Sequence, residues 1–305
     1  MFDLRLLFVA LVWGVNFAFV KFALTDFLPL SFTVVRFFVA GLFLFAVMFL
    51  TKESFAIERQ DRRAVVKLGF IGITLYNILF MYGLKYTTAS HSALFISMSP
   101  LFAVLLQARQ GKKPLGYPIA LGLLLASTGV YLVISGRFGG FSFTASGLAG
   151  DILTLCASVL WALYTLRAKP LLDKYSAITV TAYTMAAGSV ILFPIGLHEL
   201  LEQSWTGVSL QSWAAFSFSA FVSAGIAFSL WYQGVRRIGV TRTVAYHYLV
   251  PFVAVVFAVF FLGERITPLQ IAGGIAIIGG VALVQRVKPE GQLNHFFHRR
   301  VRGDR

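Results

Sequence analysis

Arg36 stands seven residues beyond Pro29 in an otherwise apolar run, about 10 Å from its start at a helical rise of about 1.5 Å per residue. A cation at that depth costs about 2.5–3.5 kcal/mol to insert and is a functional candidate by default. Its planar fork suits bidentate capture of a carboxylate or phosphate. The structural alternative is an arginine that snorkels outward or ties helix ends together. Asn16 sits in the middle of the first apolar run, where an amide can bond a solute or bridge to a neighbouring helix. Trp13 lies nine residues beyond Leu4, too deep for an interfacial aromatic belt. Trp13, Trp161 and Tyr164 could wall a cavity or could simply pack. His91 and His247 each fall near the start of an apolar run. A side-chain pKa of about 6.5 would suit a proton relay if either histidine faced a cavity, whereas a hydrogen-bonded histidine near an interface is the plainer reading. Asn77 and Tyr246 complete the candidate substrate-binding or translocation residues. Tyr76, Trp231, Tyr232 and Tyr248 add aromatic and hydrogen-bonding capacity, although some of these side chains must face lipid.

Other chemistry finds no support. There is no Walker sequence, no His/Cys ligand cluster and no nucleophile elbow, so neither nucleotide hydrolysis nor covalent catalysis is expected. No cofactor and no metal is implied. Cys156 is the only cysteine, which excludes an internal disulfide. No acidic residue stands mid-run as a proton carrier; Asp151 comes closest.

The elements that carry these residues follow from composition. Of 305 residues, 58% are apolar and only 12% are charged, with a mean hydropathy of +0.80. A soluble domain carries about 25% charged residues, so this chain has too little charge to cover a surface facing water. With about 20 apolar residues per spanning helix, ten runs qualify: 4–24, 29–50, 64–84, 89–108, 117–135, 148–168, 177–198, 213–235, 241–262 and 268–286. Pro29, Pro118 and Pro268 sit at or near run starts, where a missing N–H costs least.

The net charge of +14 raises the question of nucleic acid, and its distribution answers it. With the N-terminus inside, twenty-one of the 26 Lys and Arg residues fall in inside segments, and only Lys85, Arg137 and Arg265 fall outside. That is the positive-inside pattern of a multi-pass membrane protein with both termini cytoplasmic. No nucleic-acid partner is expected. The tail from Lys288 to Arg305 reads as a solvated or headgroup-facing segment.

The chain also repeats itself. Trp13-Gly14 with Lys21 eight residues on is echoed by Trp161-Ala162 with Lys169 eight residues on. Gly83-Leu84-Lys85 aligns with Gly234-Val235-Arg236, Pro100 with Pro251, and Gly122 and Gly129 with Gly273 and Gly280. Each half holds five spans. An odd number inserts the second half upside down, the inverted-repeat plan on which secondary transporters bind substrate between halves. A repeat could equally serve as a scaffold.

These residues resemble the drug/metabolite transporter superfamily, specifically the EamA-like ten-helix exporters. The resemblance rests on Trp13-Gly14-x-Asn16-Phe17 with Lys21, Pro29-Leu30 leading to Arg36-Phe37, Trp161-Ala162, Pro251 and Gly263-Glu264-Arg265, and it extends from Leu4 to about Gln285. It departs where Gly111-Lys112-Lys113 stands against Gly263-Glu264-Arg265. It implies alternating access through a central cavity and, in many members, export of amino acids or related metabolites.

The expectation is therefore an all-α integral membrane transporter of ten helices in two inverted halves, 1–143 and 144–287, with a basic tail at 288–305. It would act on a small-molecule substrate in a lipid bilayer, at an inner membrane, with a homo-oligomer left open. A membrane enzyme acting on lipids and a non-transporting scaffold are the alternatives.

Overall fold

The computed structural model describes residues 2–86, 92, 95–109, 116–138, 145–262 and 267–286, and every regular element among them is helical. In chain order these are α1 (Leu4–Ala23), α2 (Pro29–Leu50), α3 (Arg62–Gly69), α4 (Tyr76–Tyr86), α5 (Ser99–Arg109), α6 (Tyr117–Phe138) and α7 (Ala145–Leu172). They continue with α8 (Ala177–Glu202), α9 (Leu210–Ser217), α10 (Phe228–Ile238), α11 (Val240–Ala245), α12 (Leu249–Leu262) and α13 (Pro268–Arg286). Short π-helical stretches, Phe70–Leu75 and Phe218–Ala227, join α3 to α4 and α9 to α10 without breaking either rod.

Among the described residues, seven helices are long and apolar enough to cross a membrane: 29–50, 62–83, 117–135, 147–172, 177–202, 210–238 and 268–286. Helix α1 is an apolar helix of 20 residues. The expected run 89–108 lies partly outside the described residues, as do His91, the segments 111–113 and 263–265, and the tail 288–305.

The expected run 241–262 is not one regular helix. It divides into α11, a 3₁₀ turn at Tyr246–Tyr248, and α12. Proline accounts for the break: Pro251 has no N–H, so the carbonyl of His247 four residues earlier loses its helical donor and the backbone tightens there. The same rule acts at Pro100, where α5 starts at Ser99 after a turn at Ser97 and Met98.

Packing follows small residues. Helices α6 and α13 touch backbone to backbone, since a Cβ on Gly122 would lie 2.7 Å from the Gly280 carbonyl oxygen and one on Gly129 would lie 2.6 Å from that of Gly273. Glycines seven apart return to one face after two turns, the arrangement that lets apolar helices approach closely in lipid. Helix α2 packs on α8; α4 and α5 pack on α7; α1 packs on the α9–α10 rod and on α12.

Two polar clasps hold opposite ends. At one, Asp26 Oδ2 accepts from the Ser209 hydroxyl (2.6 Å) and backbone N–H (3.0 Å), while Gln203 Oε1 accepts from Leu28 N (2.7 Å) and Glu199 Oε2 from Leu30 N (2.6 Å). At the other, Asp61 Oδ2 accepts from Lys174 Nζ (2.9 Å) and from the Tyr175 hydroxyl (2.8 Å). This second end also carries Arg5, Lys67, Arg167, Arg236 and Arg237 and is the basic end of the bundle.

Candidate functional site

Burial is uneven along the bundle. Toward the basic end, Leu6, Val9 and Trp13 of α1, Trp161, Ala168 and Leu172 of α7, and Trp231 and Val235 of α10 are buried. Beyond Trp13 in the other direction, Asn16, Tyr76 and Phe80 are only half-buried and Phe17 is exposed. An aromatic seal closes the bundle around Trp13 on the basic side, and a second buried cluster of Ala23, Phe27, Phe32, Ala215, Phe216 and Ala220 lies toward the far clasp.

Trp13 is at the centre of the seal. Its ring lies 5.3 Å from Trp161, 5.4 Å from Phe228, 5.1 Å from Trp231 and 5.8 Å from His247. Trp161 stacks on His247 at 5.7 Å, meets Trp231 at 5.8 Å and packs against Tyr76 at 5.3 Å and Tyr164 at 5.6 Å. Edge-on and tilted contacts of this kind add about 0.5–1.5 kcal/mol each beyond area burial. Two indole N–H groups are spent within the fold: Trp13 Nε1 donates to the Ser223 carbonyl at 3.2 Å, and Trp231 Nε1 donates to Thr165 Oγ1 at 3.2 Å.

His247 joins this cluster because the 3₁₀ turn before Pro251 aims it inward. Its Nδ1 shares a hydrogen bond of 2.7 Å with Ser99 Oγ, in a direction set by the tautomer. Ser99 itself follows the turn caused by Pro100. One bond therefore ties the two interrupted helices, α5 and α12, beside the paired tryptophans.

Arg36 approaches from α2. Its guanidinium sits over the Phe37 ring at 4.6 Å and 6.0 Å from that of Phe32. Tyr76, which packs on Trp161, also stacks on Phe80 at 6.0 Å. Arg36 has no ion-pair partner among the described residues, and its Nε is buried without a hydrogen bond. Asn16 Oδ1 and Trp161 Nε1 are likewise buried with no partner among the described residues. Unmade bonds at buried polar atoms cost about 1–3 kcal/mol each. The hydroxyls of Tyr164 and Tyr232 join Arg36 Nε, Asn16 Oδ1 and Trp161 Nε1 among the buried polar atoms left over near the rings.

Two expected residues make their hydrogen bonds away from the rings. Asn77 Nδ2 donates to the Ile73 carbonyl at 2.7 Å within its own helix. Tyr246 turns away to the chain start, where its hydroxyl accepts from Asp3 N at 2.6 Å. His91 lies outside the described residues. Ser99 and Phe228 join the cluster although neither stood out in the sequence; the one hint of Ser99 was its place beside Pro100, the counterpart of Pro251.

Comparison with known proteins agrees with this architecture. The model of the family described as "EamA-like transporter family" matches residues 2–135 and again residues 148–286. A relative from Bacillus subtilis, "Uncharacterized transporter YyaM", is 29% identical and aligns over 91% of each chain. An uncharacterized transporter of Archaeoglobus fulgidus is 30% identical over 92% of this chain and 96% of its own. The "Probable terminal-alkyne amino-acid exporter" of Streptantibioticus cattleyicolor is 30% identical over 74% of each. These relatives are named as transporters, not enzymes. A crystallised protein of 20% identity shares the fold with a TM-score of 0.80, covering 93% of this chain and 96% of its own.

Proposed function

The chain belongs to the EamA-like transporter family and is a multi-pass membrane protein, and from that premise we propose that it exports amino acids or closely related metabolites by alternating access. The solute site is the space bounded by Trp13, Asn16, Arg36, Tyr76 and Trp161. Arg36 receives the substrate carboxylate, and Asn16 and the Trp161 N–H take up its remaining polar groups. The tryptophan rings offer a face to an ammonium or an apolar side chain.

The observation that carries this reading is the Ser99–His247 bond of 2.7 Å beside the Trp13–Trp161 contact of 5.3 Å. Interrupted helices at corresponding positions of two halves are the arrangement that builds a midplane site in secondary transporters. Pro100 and Pro251, at the two interruptions, are 151 positions apart, the separation that also relates Gly122 to Gly273 and Gly129 to Gly280. Two repeats of five helices, 1–143 and 144–287, account for the matched prolines, for the two π-helical stretches and for the exchange of partners between the glycine pairs. On this plan ten helices cross an inner membrane, the tail 288–305 and both termini are cytoplasmic, and the basic end faces the cytoplasm in a state closed to that side. The named exporter from Streptantibioticus cattleyicolor supports an amino-acid-like cargo.

Purified protein in liposomes, offered a mixed pool of amino acids, nucleosides and small organic ions, tests this directly by mass spectrometry of the lumen. Saturable accumulation of carboxylate-bearing solutes is expected, with little of the cations and nucleosides. Flux no greater than in empty liposomes, from protein shown to be folded, would overturn the proposal.

A further inference from the structure

A second polar site lies away from the bundle axis, at the basic end, where α3 passes the last turns of α7. Asp61, Lys67, Arg167 and Lys174 converge on a groove of about 270 Å³ whose floor is apolar, formed by Leu68, Ile71 and Leu171. Lys174 is bound to Asp61 at 2.9 Å, and that bond holds the Asp61 carboxyl below its usual range. The acid is thereby neutralised within the groove. Lys67 and Arg167 are exposed and have no hydrogen-bond or ion-pair partner among the described residues. Three cations against one acid leave the groove with an excess of two positive charges.

We infer that this groove binds the headgroup of an anionic phospholipid. Its height argues for a lipid: the apolar segments 62–83 and 147–172 both end here, where hydrocarbon gives way to headgroups. A phosphodiester carries one negative charge and oxygen acceptors that match the unpaired Lys67 ammonium and Arg167 guanidinium. The apolar floor, continued by the exposed Phe70 on the same helix, gives the glycerol backbone and upper acyl chain a surface that an inorganic anion would not use. Basic pockets between spanning helices are the general form of such sites, each nearby cation adding to the attraction. The groove involves none of the residues assigned to solute handling, so it stands or falls independently of the proposed cargo.

The test uses the full chain in nanodiscs of phosphatidylcholine with a graded share of phosphatidylglycerol, followed by native mass spectrometry of the lipids retained in detergent. Saturable retention of phosphatidylglycerol is expected. The double variant Lys67→Gln/Arg167→Gln should weaken the preference about tenfold or more, with thermal unfolding in pure phosphatidylcholine unchanged. The pair Arg59→Gln/Arg63→Gln, which removes the same charge from the same end outside the groove, should leave retention as in the parent. Equal retention by the groove variant, or equal loss in the control pair, would overturn the proposal in favour of diffuse surface charge. Displacement of the lipid by millimolar inorganic phosphate would overturn it in favour of a free-anion site.

Discussion

Gly122 and Gly280 meet across the α6–α13 crossing so closely that a Cβ on either would fall within 2.7 Å of the other's carbonyl oxygen. Gly129 and Gly273 do the same one stretch further along. Since Gly122 corresponds in sequence to Gly273, and Gly129 to Gly280, the second contact is the first with its partners exchanged. Such an exchange of partners is what the proposed two-fold relation between halves requires. Gly280→Leu is expected to force the helices apart, at about 1–3 kcal/mol of overpacking. The check is the thermal midpoint in detergent: a clear drop supports backbone contact, and an unchanged Tm would refute it.

Ser99 and His247 make a different kind of contact, in which two proline-bent helices are held by one bond of 2.7 Å. Ser99→Ala leaves a buried ring nitrogen without its partner, while His247→Ala also removes a ring stacked on Trp161. Transport by Ser99→Ala should fall severalfold, and by His247→Ala further, with both proteins folded by circular dichroism. His247→Gln, which can still reach Ser99, should recover part of the loss. Full activity in His247→Ala would remove this bond from the transport cycle.

Seven of the expected spans were legible because lipid imposes a single ruler on helix length, and the contacts of Gly122, Gly129, Gly273 and Gly280 were legible because close helix approach leaves so few substitutes for glycine. Pro100 and Pro251 even marked where the helices would be interrupted. The clasps were not legible. Asp26, Glu199 and Gln203 look in sequence like ordinary solvated loop residues; only folding brings Glu199 to the start of α2. The π-helical stretches have no residue signature either, as they arise where one helix must accommodate its neighbours. The hydrogen bonds of Asn77 and Tyr246 were hidden for a related reason: periodicity places a polar residue within a span but does not say whether its own backbone or a distant amide will satisfy it.

Arg36 and Asn16 are the sharpest test of the solute site, since each has a buried polar atom without a partner among the described residues. Replacing Arg36 by Met, or Asn16 by Ala, should lower flux by about an order of magnitude or more, because a charge-assisted bond is worth about 1.5–3 kcal/mol. Neither change should reduce stability much; relief of an unpaired cation could raise Tm. Arg36→Lys keeps the charge without the fork and should retain an intermediate rate. Unaltered flux in both Arg36→Met and Asn16→Ala would discard the site.

Asp26 supplies a pH dependence whose sign can be worked out. Hydrogen bonds from Ser209, its hydroxyl foremost, hold the Asp26 carboxyl at about 2, below the ordinary value of 3.8. A carboxyl depressed on folding contributes stability that is fully present above its unfolded pKa and disappears as pH falls through its folded pKa. The clasp should therefore act fully above about pH 4 and fade between there and about pH 2. Asp26→Asn removes the charged acceptor, so its Tm should lie below that of the parent at pH 5 to 7, and the gap should close as the pH approaches about 2. The exposure of the loop keeps the effect small and sensitive to salt. A gap that stays constant, or widens, on acidification would show that Asp26 contributes to the clasp by something other than its charge.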